Sequence, residues 1–285
     1  TDEFIAITED LKKRIEDLKA YTEANDNKLL IHSLAVPALE NFFSDIEHVT
    51  FDKSWKEAIG KFKNTGNLRF ERPENLKAKL REYQLEGFYW LSKLAYLGMG
   101  ACLADDMGLG KTVEALTIIL SRASKGAAFV LAPTSVCQNW YSECKRFTPT
   151  LNPILFGPSD RKQTIENLAP YDLVICSYGI LQKEIAMLSP INWTTVVLDE
   201  AQAIKNMSTG RSQAAMMLRG EFKMLMTGTP IENHLGELWN LFRFLNPGLL
   251  GSLNSFIDKY SNPIQIDGDS LARNRLKNLV QPFIL

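Results

Sequence analysis

The sequence predicts an α/β chain: a parallel sheet covered by helices on both faces, preceded by a small helical region. Two features carry this expectation. From about Leu80 onward, short apolar runs rich in Val, Ile, Leu and Phe alternate with segments of helical spacing. Strands separated by crossover helices pair in parallel and are covered on both faces. In addition, the glycine-rich stretch DDMGLGKT, Asp105 to Thr112, follows one apolar run directly and opens a helical segment. Open α/β sheets bind their ligands at such strand ends.

The elements follow in chain order. Residues 1–75 read as a helical accessory region and linker. Thr8 followed by Glu9 and Asp10 fits an N-cap with acidic residues in the first turn, after which Leu11, Ile15, Leu18 and Tyr21 fall on one face. A second apolar-periodic stretch covers Leu29 to Phe43, and a third carries Trp55, Ile59 and Phe62. The polar stretch Lys63 to Asn75, with NTGN and RPEN, reads as a linker. Residues 76–285 form the sheet domain. Its expected strands are Gly100–Asp105, Ala127–Pro133, Pro153–Gly157, Leu173–Tyr178, Thr194–Asp199 and Lys223–Thr227. Between them, Lys111–Ser121, Val136–Phe147 and Ile180–Leu188 have helical spacing.

Composition narrows the class further. A hydrophobic content of 45% with 23% charged residues is that of a globular protein. No apolar run approaches the ~18 residues that a membrane span needs, so no membrane partner is expected. The chain opens on Thr1 without a basic, apolar, small-residue leader, which reads as a cytosolic protein or an excised piece of one. Cys102, Cys137, Cys144 and Cys176 form no C-x-x-C pair, so they read as free thiols in a reducing compartment. His32, His48 and His234 lack metal-ligand spacing. The net charge of −1 announces no dedicated DNA-binding domain but leaves room for a local basic face.

The stretch DDMGLGKT resembles a P-loop. Gly108 and Gly110 let successive N–H groups turn toward phosphate oxygens, Lys111 would reach the β- and γ-phosphates, and Thr112 would hold Mg²⁺. The following helix presents its positive end to the same anion. The pattern G-x-x-x-x-G-K-[ST] wants glycine where this chain has Asp105, so an ordinary glycine-rich turn is the competing reading. A second signal decides between them: WTTVVLDE is an apolar strand ending in Asp199 and Glu200. An acid in that position completes the Mg²⁺ shell of a P-loop NTPase, and its neighbour could deprotonate the attacking water. The third signal, MTGTP, closes another apolar run with Thr227 and Thr229, which also fits a plain hydroxyl-capped turn.

Taken in order, LREYQLEGFYWL, LADDMGLGKT, LAPTSVCQNWYSE, VICSYGIL, LDEAQAIKN and LMTGTPIENHLGELWNL resemble the SWI/SNF-type family of superfamily-two helicase-like ATPases. The likeness runs from Leu80 to Leu285, and FLNPGLLGS is most similar to bacterial or archaeal members. It implies the first RecA-like lobe of a double-stranded-DNA translocase with ATP and Mg²⁺ as cofactors. Such enzymes remodel or displace DNA-bound protein, in the nucleoid if prokaryotic and in the nucleus if eukaryotic. By resemblance, Gln84 reads adenine, and Asp106, Met107, Gly108, Leu109, Gly110, Lys111 and Thr112 wrap the phosphates. Thr112 and Asp199 hold the metal, with Lys111, Asp199 and Glu200 as the catalytic set. Gln202, Thr227 and Thr229 couple nucleotide state to DNA grip. Pro133, Thr134, Ser135, Asn139, Trp140, Ser177 and Tyr178 fall where the family touches the DNA backbone, although Trp140 and Tyr178 read equally well as packing residues.

Two departures matter. Family members more often carry His where this chain has Gln202, which can bridge hydroxyls but cannot become cationic. The family also continues into a second RecA-like lobe that supplies an arginine finger, worth roughly 10³–10⁵ in rate. The stretch ending at QPFIL is therefore expected to bind ATP and turn over little by itself. An RNA-directed helicase ATPase and a degenerate nucleotide-binding scaffold are the alternatives. The IKN and GELWNL stretches speak against the first, and the intact Lys111, Thr112, Asp199 and Glu200 against the second.

Overall fold

The computed structural model describes residues 18, 21–25, 28–39, 52–106, 108–157, 160–228 and 235–285. The chain divides into two compact units, one comprising residues 1–63 with 248–282 and the other residues 64–247 with 283–285. The boundary expected between residues 75 and 76 was compositional; the packed units part at 63/64 and again at 247/248 and 282/283.

In the first unit, strand β1 (Thr22–Asn25) pairs antiparallel with β2 (Lys28–Ile31), Thr22 opposite Ile31. This hairpin replaces the start of the helix expected from Leu29. Its local signal is the Asn25-Asp26-Asn27 run, turn formers lying between two short stretches of residues. The helix expected from Leu11 lies mostly outside the described residues. Helix α1 (Lys53–Asn64) forms where predicted and buries Trp55. The Asp52 carboxylate caps it by accepting the Trp55 N–H at 2.7 Å. Short helical segments at Leu253–Phe256, Asn262–Gln265 and Ser270–Val280 complete the unit, with Phe256, Tyr260, Leu276 and Leu279 buried.

The second unit is built on a six-stranded sheet whose adjacent strands all pair in parallel. Helix α2 (Glu82–Leu97) precedes it and ends at Gly98, which takes the left-handed conformation that lets the last carbonyls be satisfied. Then come β3 (Ala101–Leu103), α3 (Lys111–Arg122), β4 (Ala128–Ala132), α4 (Thr134–Phe147) and β5 (Asn152–Phe156). They are followed by α5 (Arg161–Glu166), β6 (Asp172–Ser177), α6 (Tyr178–Leu188) and β7 (Asn192–Leu198). Finally α7 (Gly210–Met216), β8 (Arg219–Met226) and α8 (Leu235–Leu245) close the order. Each of the expected strands is present.

The strand order is β3-β8-β7-β4-β6-β5. The central strands are sealed on both faces, which explains their continuous rather than alternating apolar pattern. Each buried Val, Leu, Ile or Phe contributes on the order of 1.5–3 kcal/mol relative to exposure. Phe129 on β4 and Trp193 on β7 pack with ring centres 4.9 Å apart. Arg122 closes the opposite end of α3 from the glycine turn: it donates to the Thr195 hydroxyl, the Thr194 carbonyl and the Glu221 carboxylate. Beyond β3, the Leu285 N–H donates to the Cys102 carbonyl and the Ala104 N–H to the Leu285 carbonyl. The sheet edge is thereby covered at that point. The four cysteines are free, and burial pushes the Cys102 and Cys176 thiols up to about 12, so these two are inert packing groups.

Candidate functional site

The strand order places three loops side by side. Leu103 on β3 pairs with Met226 on β8, and Leu225 on β8 pairs with Leu198 on β7. The chain leaves these neighbouring strands at one level, at Ala104, Thr227 and Asp199. The Thr227 N–H donates to the Leu103 carbonyl at 3.1 Å, and the Asp199 N–H to the Leu131 carbonyl at 2.8 Å. The turn after β3, the acidic pair after β7 and the threonine after β8 therefore share one edge of the sheet. Gly108, Leu109 and Gly110 belong to that turn, Lys111 and Thr112 open α3, and Met107 lies outside the described residues.

The turn depends on two left-handed glycines, Gly108 and Gly110, each with φ of 86°. Such a conformation is open to glycine and strained for other residues. Gly110 also caps α3, its carbonyl accepting the Val113 and Glu114 N–H groups. A Cβ on it would come 2.6 Å from Nε2 of Gln84. The Lys111 ammonium folds back on the turn and donates to the carbonyls of Asp105 at 2.6 Å and Asp106 at 3.0 Å. Gln84 is buried with both ends of its amide engaged: Oε1 accepts the Arg81 N–H and Nε2 donates to the Leu109 carbonyl. The Tyr83 hydroxyl donates to the same carbonyl at 2.7 Å. Tyr83 was not singled out from sequence; its adjacency to Gln84 was the available signal.

Asp199 is buried and held from three directions. The indole N–H of Trp140 donates to Oδ2 at 2.8 Å, the Glu200 N–H donates to Oδ1 at 2.9 Å, and the Tyr178 hydroxyl donates to its carbonyl at 2.8 Å. Burial raises its pKa, the Trp140 and Glu200 hydrogen bonds pull it down, the Glu200 charge raises it and the Lys111 charge lowers it. Glu200 stands in the left-handed region at φ 51°, a conformation costing a non-glycine residue on the order of 1–3 kcal/mol. Its Oε2 is buried without a hydrogen-bond partner, which leaves an acceptor ready for a donor.

The DNA-contact candidates separate into two groups. Pro133 is half-buried, and Thr134, Ser135 and Asn139 are exposed along the start of α4. Trp140, Ser177 and Tyr178 are buried. Ser177 caps α6 by accepting the Ile180 N–H, while Trp140 and Tyr178 serve Asp199. Gln202 is exposed on the turn Ala201–Ile204. Thr227 is buried at the strand end, and Thr229 lies outside the described residues.

Two buried polar residues were missed by sequence. Glu114, on the first turn of α3, is fully buried with neither carboxylate oxygen hydrogen-bonded. Burial, then the Asp105 charge, push it up to about 8, against the pull of Lys111. A Cβ on Gly87 of α2 would come 2.6 Å from its Oε1, so the helices approach closely there. Asn240, inside α8, donates to the Ile204 carbonyl at 2.6 Å and the Ser212 hydroxyl at 2.8 Å, tying the turn after Glu200 to α7 and α8.

Among the described residues, no cluster of His, Cys, Asp or Glu side chains could hold a metal ion by itself. The fitting arrangement is the one Mg²⁺ favours, a hydroxyl and one carboxylate completed by phosphate and water. The buried Asp199 carboxylate, at the strand end on the same side of the sheet as the turn that leads to Thr112, is a donor of that type.

A parallel sheet with a Gly-x-Gly-Lys-Thr turn after one strand and an Asp-Glu pair two strands away defines a RecA-like P-loop lobe. The model of the SNF2-related domain matches residues 83–285, and the chain belongs to that family. YwqA of Bacillus subtilis, which bears the name of an ATP-dependent helicase/translocase, is 42% identical over 220 residues, covering 74% of this chain and 24% of YwqA. The chromatin-remodeling ATPase INO80 of Gibberella zeae is 34% identical over 242 residues, 77% of this chain and 13% of INO80. The chain thus spans a quarter or less of these relatives. In structure it is similar to the Sulfolobus solfataricus SWI2/SNF2 ATPase core in complex with dsDNA. That likeness has a TM-score of 0.70 and 40% identity, over 76% of this chain and 46% of that one.

Proposed function

We propose that this chain is the ATP-binding lobe of a duplex-DNA-dependent ATPase that translocates along DNA and remodels protein bound to it. The observation that carries the reading is the register of β3, β8 and β7, which gathers Lys111, Thr227, Asp199 and Glu200 at one sheet edge. The family supports ATP as the nucleotide. The dsDNA complex of the similar archaeal core supports duplex DNA as the track. On this reading residues 76–285 belong to the lobe and residues 1–75 to an accessory region, with residues 248–282 packed in the same compact unit as residues 1–63. The protein works where DNA is, in the cytoplasm of a prokaryote or the nucleus of a eukaryote.

Lys111 exchanges the Asp105 and Asp106 carbonyls for the β- and γ-phosphates, helped by the N–H groups from Asp106 to Thr112 and the positive end of α3. Thr112 and Asp199 would hold Mg²⁺, which when bound neutralises charge on the phosphate oxygens. Glu200 Oε2 accepts a proton from the attacking water. Gln84 turns part of its amide from Leu109 to the adenine edge, and Gln202 with Thr227 and Thr229 reports nucleotide state. Pro133, Thr134, Ser135 and Asn139 offer phosphate contacts that position DNA without reading sequence. A second RecA-like lobe supplies the arginine finger, so the chain alone turns over slowly.

The test is steady-state ATP hydrolysis by the whole protein with duplex DNA, with RNA and with neither. Stimulation by duplex DNA is expected. Equal or greater stimulation by RNA would move the protein to the RNA-helicase side of the superfamily, and silence with every nucleic acid would make it a nucleotide-binding scaffold.

A further inference from the structure

Trp140 is the most buried kind of tryptophan, with none of its surface exposed, in the middle of a helix whose start is open to solvent. An indole has a single polar atom, and when buried that N–H needs an acceptor. Here the acceptor is one oxygen of the carboxylate assigned to the metal, at 2.8 Å, across 59 residues of sequence. The other oxygen receives the Glu200 N–H, and the Asp199 carbonyl receives the Tyr178 hydroxyl. Each carboxylate oxygen keeps a lone pair, while rotation about the side chain would break a buried hydrogen bond and leave the indole N–H orphaned. Leaving such a donor unpaired costs about 1–3 kcal/mol. The carboxylate is therefore locked in one orientation before any ligand arrives.

We infer that Trp140 is a positioning residue for the metal carboxylate: its indole N–H fixes Asp199 in the orientation that receives Mg²⁺ and so sets the affinity for Mg²⁺ with nucleotide. The inference rests on the reading of Asp199 as the Mg²⁺ ligand. Partners of this kind are typically worth about 10–100-fold in metal affinity. Trp140 also stands directly after Asn139 on α4, the helix whose exposed start carries Thr134 and Ser135. Whatever seats that helix therefore also seats the donor to Asp199.

The experiment is a titration of Mg²⁺ against this chain at a fixed concentration of a fluorescent ATP analogue, repeated without Mg²⁺, with thermal melting recorded for every variant. Trp140→Phe keeps most of the packing and removes the donor. It is expected to raise the Mg²⁺ concentration at half-maximal binding about tenfold or more, with metal-free nucleotide affinity unchanged. Replacing Trp140 site-specifically with benzothienylalanine, an isostere with sulfur in place of the N–H, gives the same shift and carries the test if the phenylalanine variant fails to fold. A folded variant with an unchanged Mg²⁺ midpoint overturns the inference. Asp199→Ala separates the two levels: it should abolish the Mg²⁺ dependence. If that dependence survives, the metal-ligand reading of Asp199 fails and the inference falls with it.

Discussion

A Cβ placed on Gly110 would lie 2.6 Å from the side-chain nitrogen of Gln84, while one placed on Gly108 would meet nothing within 4 Å. Both glycines are left-handed. Gly108→Ala thus carries only the conformational cost, about 1–2 kcal/mol. Gly110→Ala adds a collision with the amide that braces the turn. Urea unfolding should show the second variant to be the less stable of the two, and nucleotide titration should show it losing at least tenfold in affinity. Equal stability would mean that Gln84 yields freely.

The Leu109 carbonyl receives both the Tyr83 hydroxyl and the Gln84 amide. Tyr83→Phe removes one of two donors, so a loss of about 1 kcal/mol is expected in chemical denaturation. Because the two donors share an acceptor, the double change with Gln84→Ala should depart from additivity. A purely additive cycle would contradict the shared brace.

Asn240 joins the Ile204 carbonyl to the Ser212 hydroxyl in a fully buried setting. Asn240→Ala leaves that carbonyl and that hydroxyl without their donor, at a cost on the order of 2–3 kcal/mol. The melting temperature should fall by several degrees, with nucleotide binding weakened because the turn after Glu200 loses its anchor. A melting curve like that of the wild type would show that the network relaxes around the gap.

Glu114 gives the chain a pH signature. Its folded pKa, about 8, is raised above the ordinary carboxylate value of 4.5. The folded state then binds the extra proton between those values, so stability is fully present below about pH 4.5 and is lost as pH rises through about 8. Glu114→Gln cannot ionise. Its stability relative to the wild type should therefore rise by on the order of 4 kcal/mol between about pH 5 and about pH 8.5. Parallel stability–pH curves for the two proteins would contradict this assignment.

What the sequence made legible was local. A glycine turn between a strand and a helix, an acidic pair closing an apolar run and the strand positions themselves each follow from neighbouring residues, and each is found in place. Strand order is not local: nothing in the residues of β7 and β8 states that they lie between β3 and β4. For that reason the convergence of Lys111, Asp199 and Thr227 was legible in the sequence only through the family resemblance, and the pairing supplies its geometry. The same limit explains Trp140 and Tyr178. Trp140 donates to the Asp199 carboxylate and Tyr178 to the Asp199 backbone carbonyl, partners far along the chain, so a spacing argument could assign them to DNA as readily as to the interior. The hairpin at residues 22–31 was hidden because Leu29 and Leu30 fit a helical period as well as a strand, and antiparallel pairing decided the matter.

The proposed nucleotide site is the stretch from Asp106 to Thr112, with Lys111 as its charged contact. Isothermal titration of ATP with Mg²⁺ into this chain and into Lys111→Ala tests it most directly. The hydrogen bonds of the Lys111 ammonium go to the backbone carbonyls of Asp105 and Asp106. Replacing Lys111 should therefore leave a folded protein that no longer binds at concentrations saturating the wild type. Equal affinity in the two proteins would contradict the assignment and place the nucleotide elsewhere.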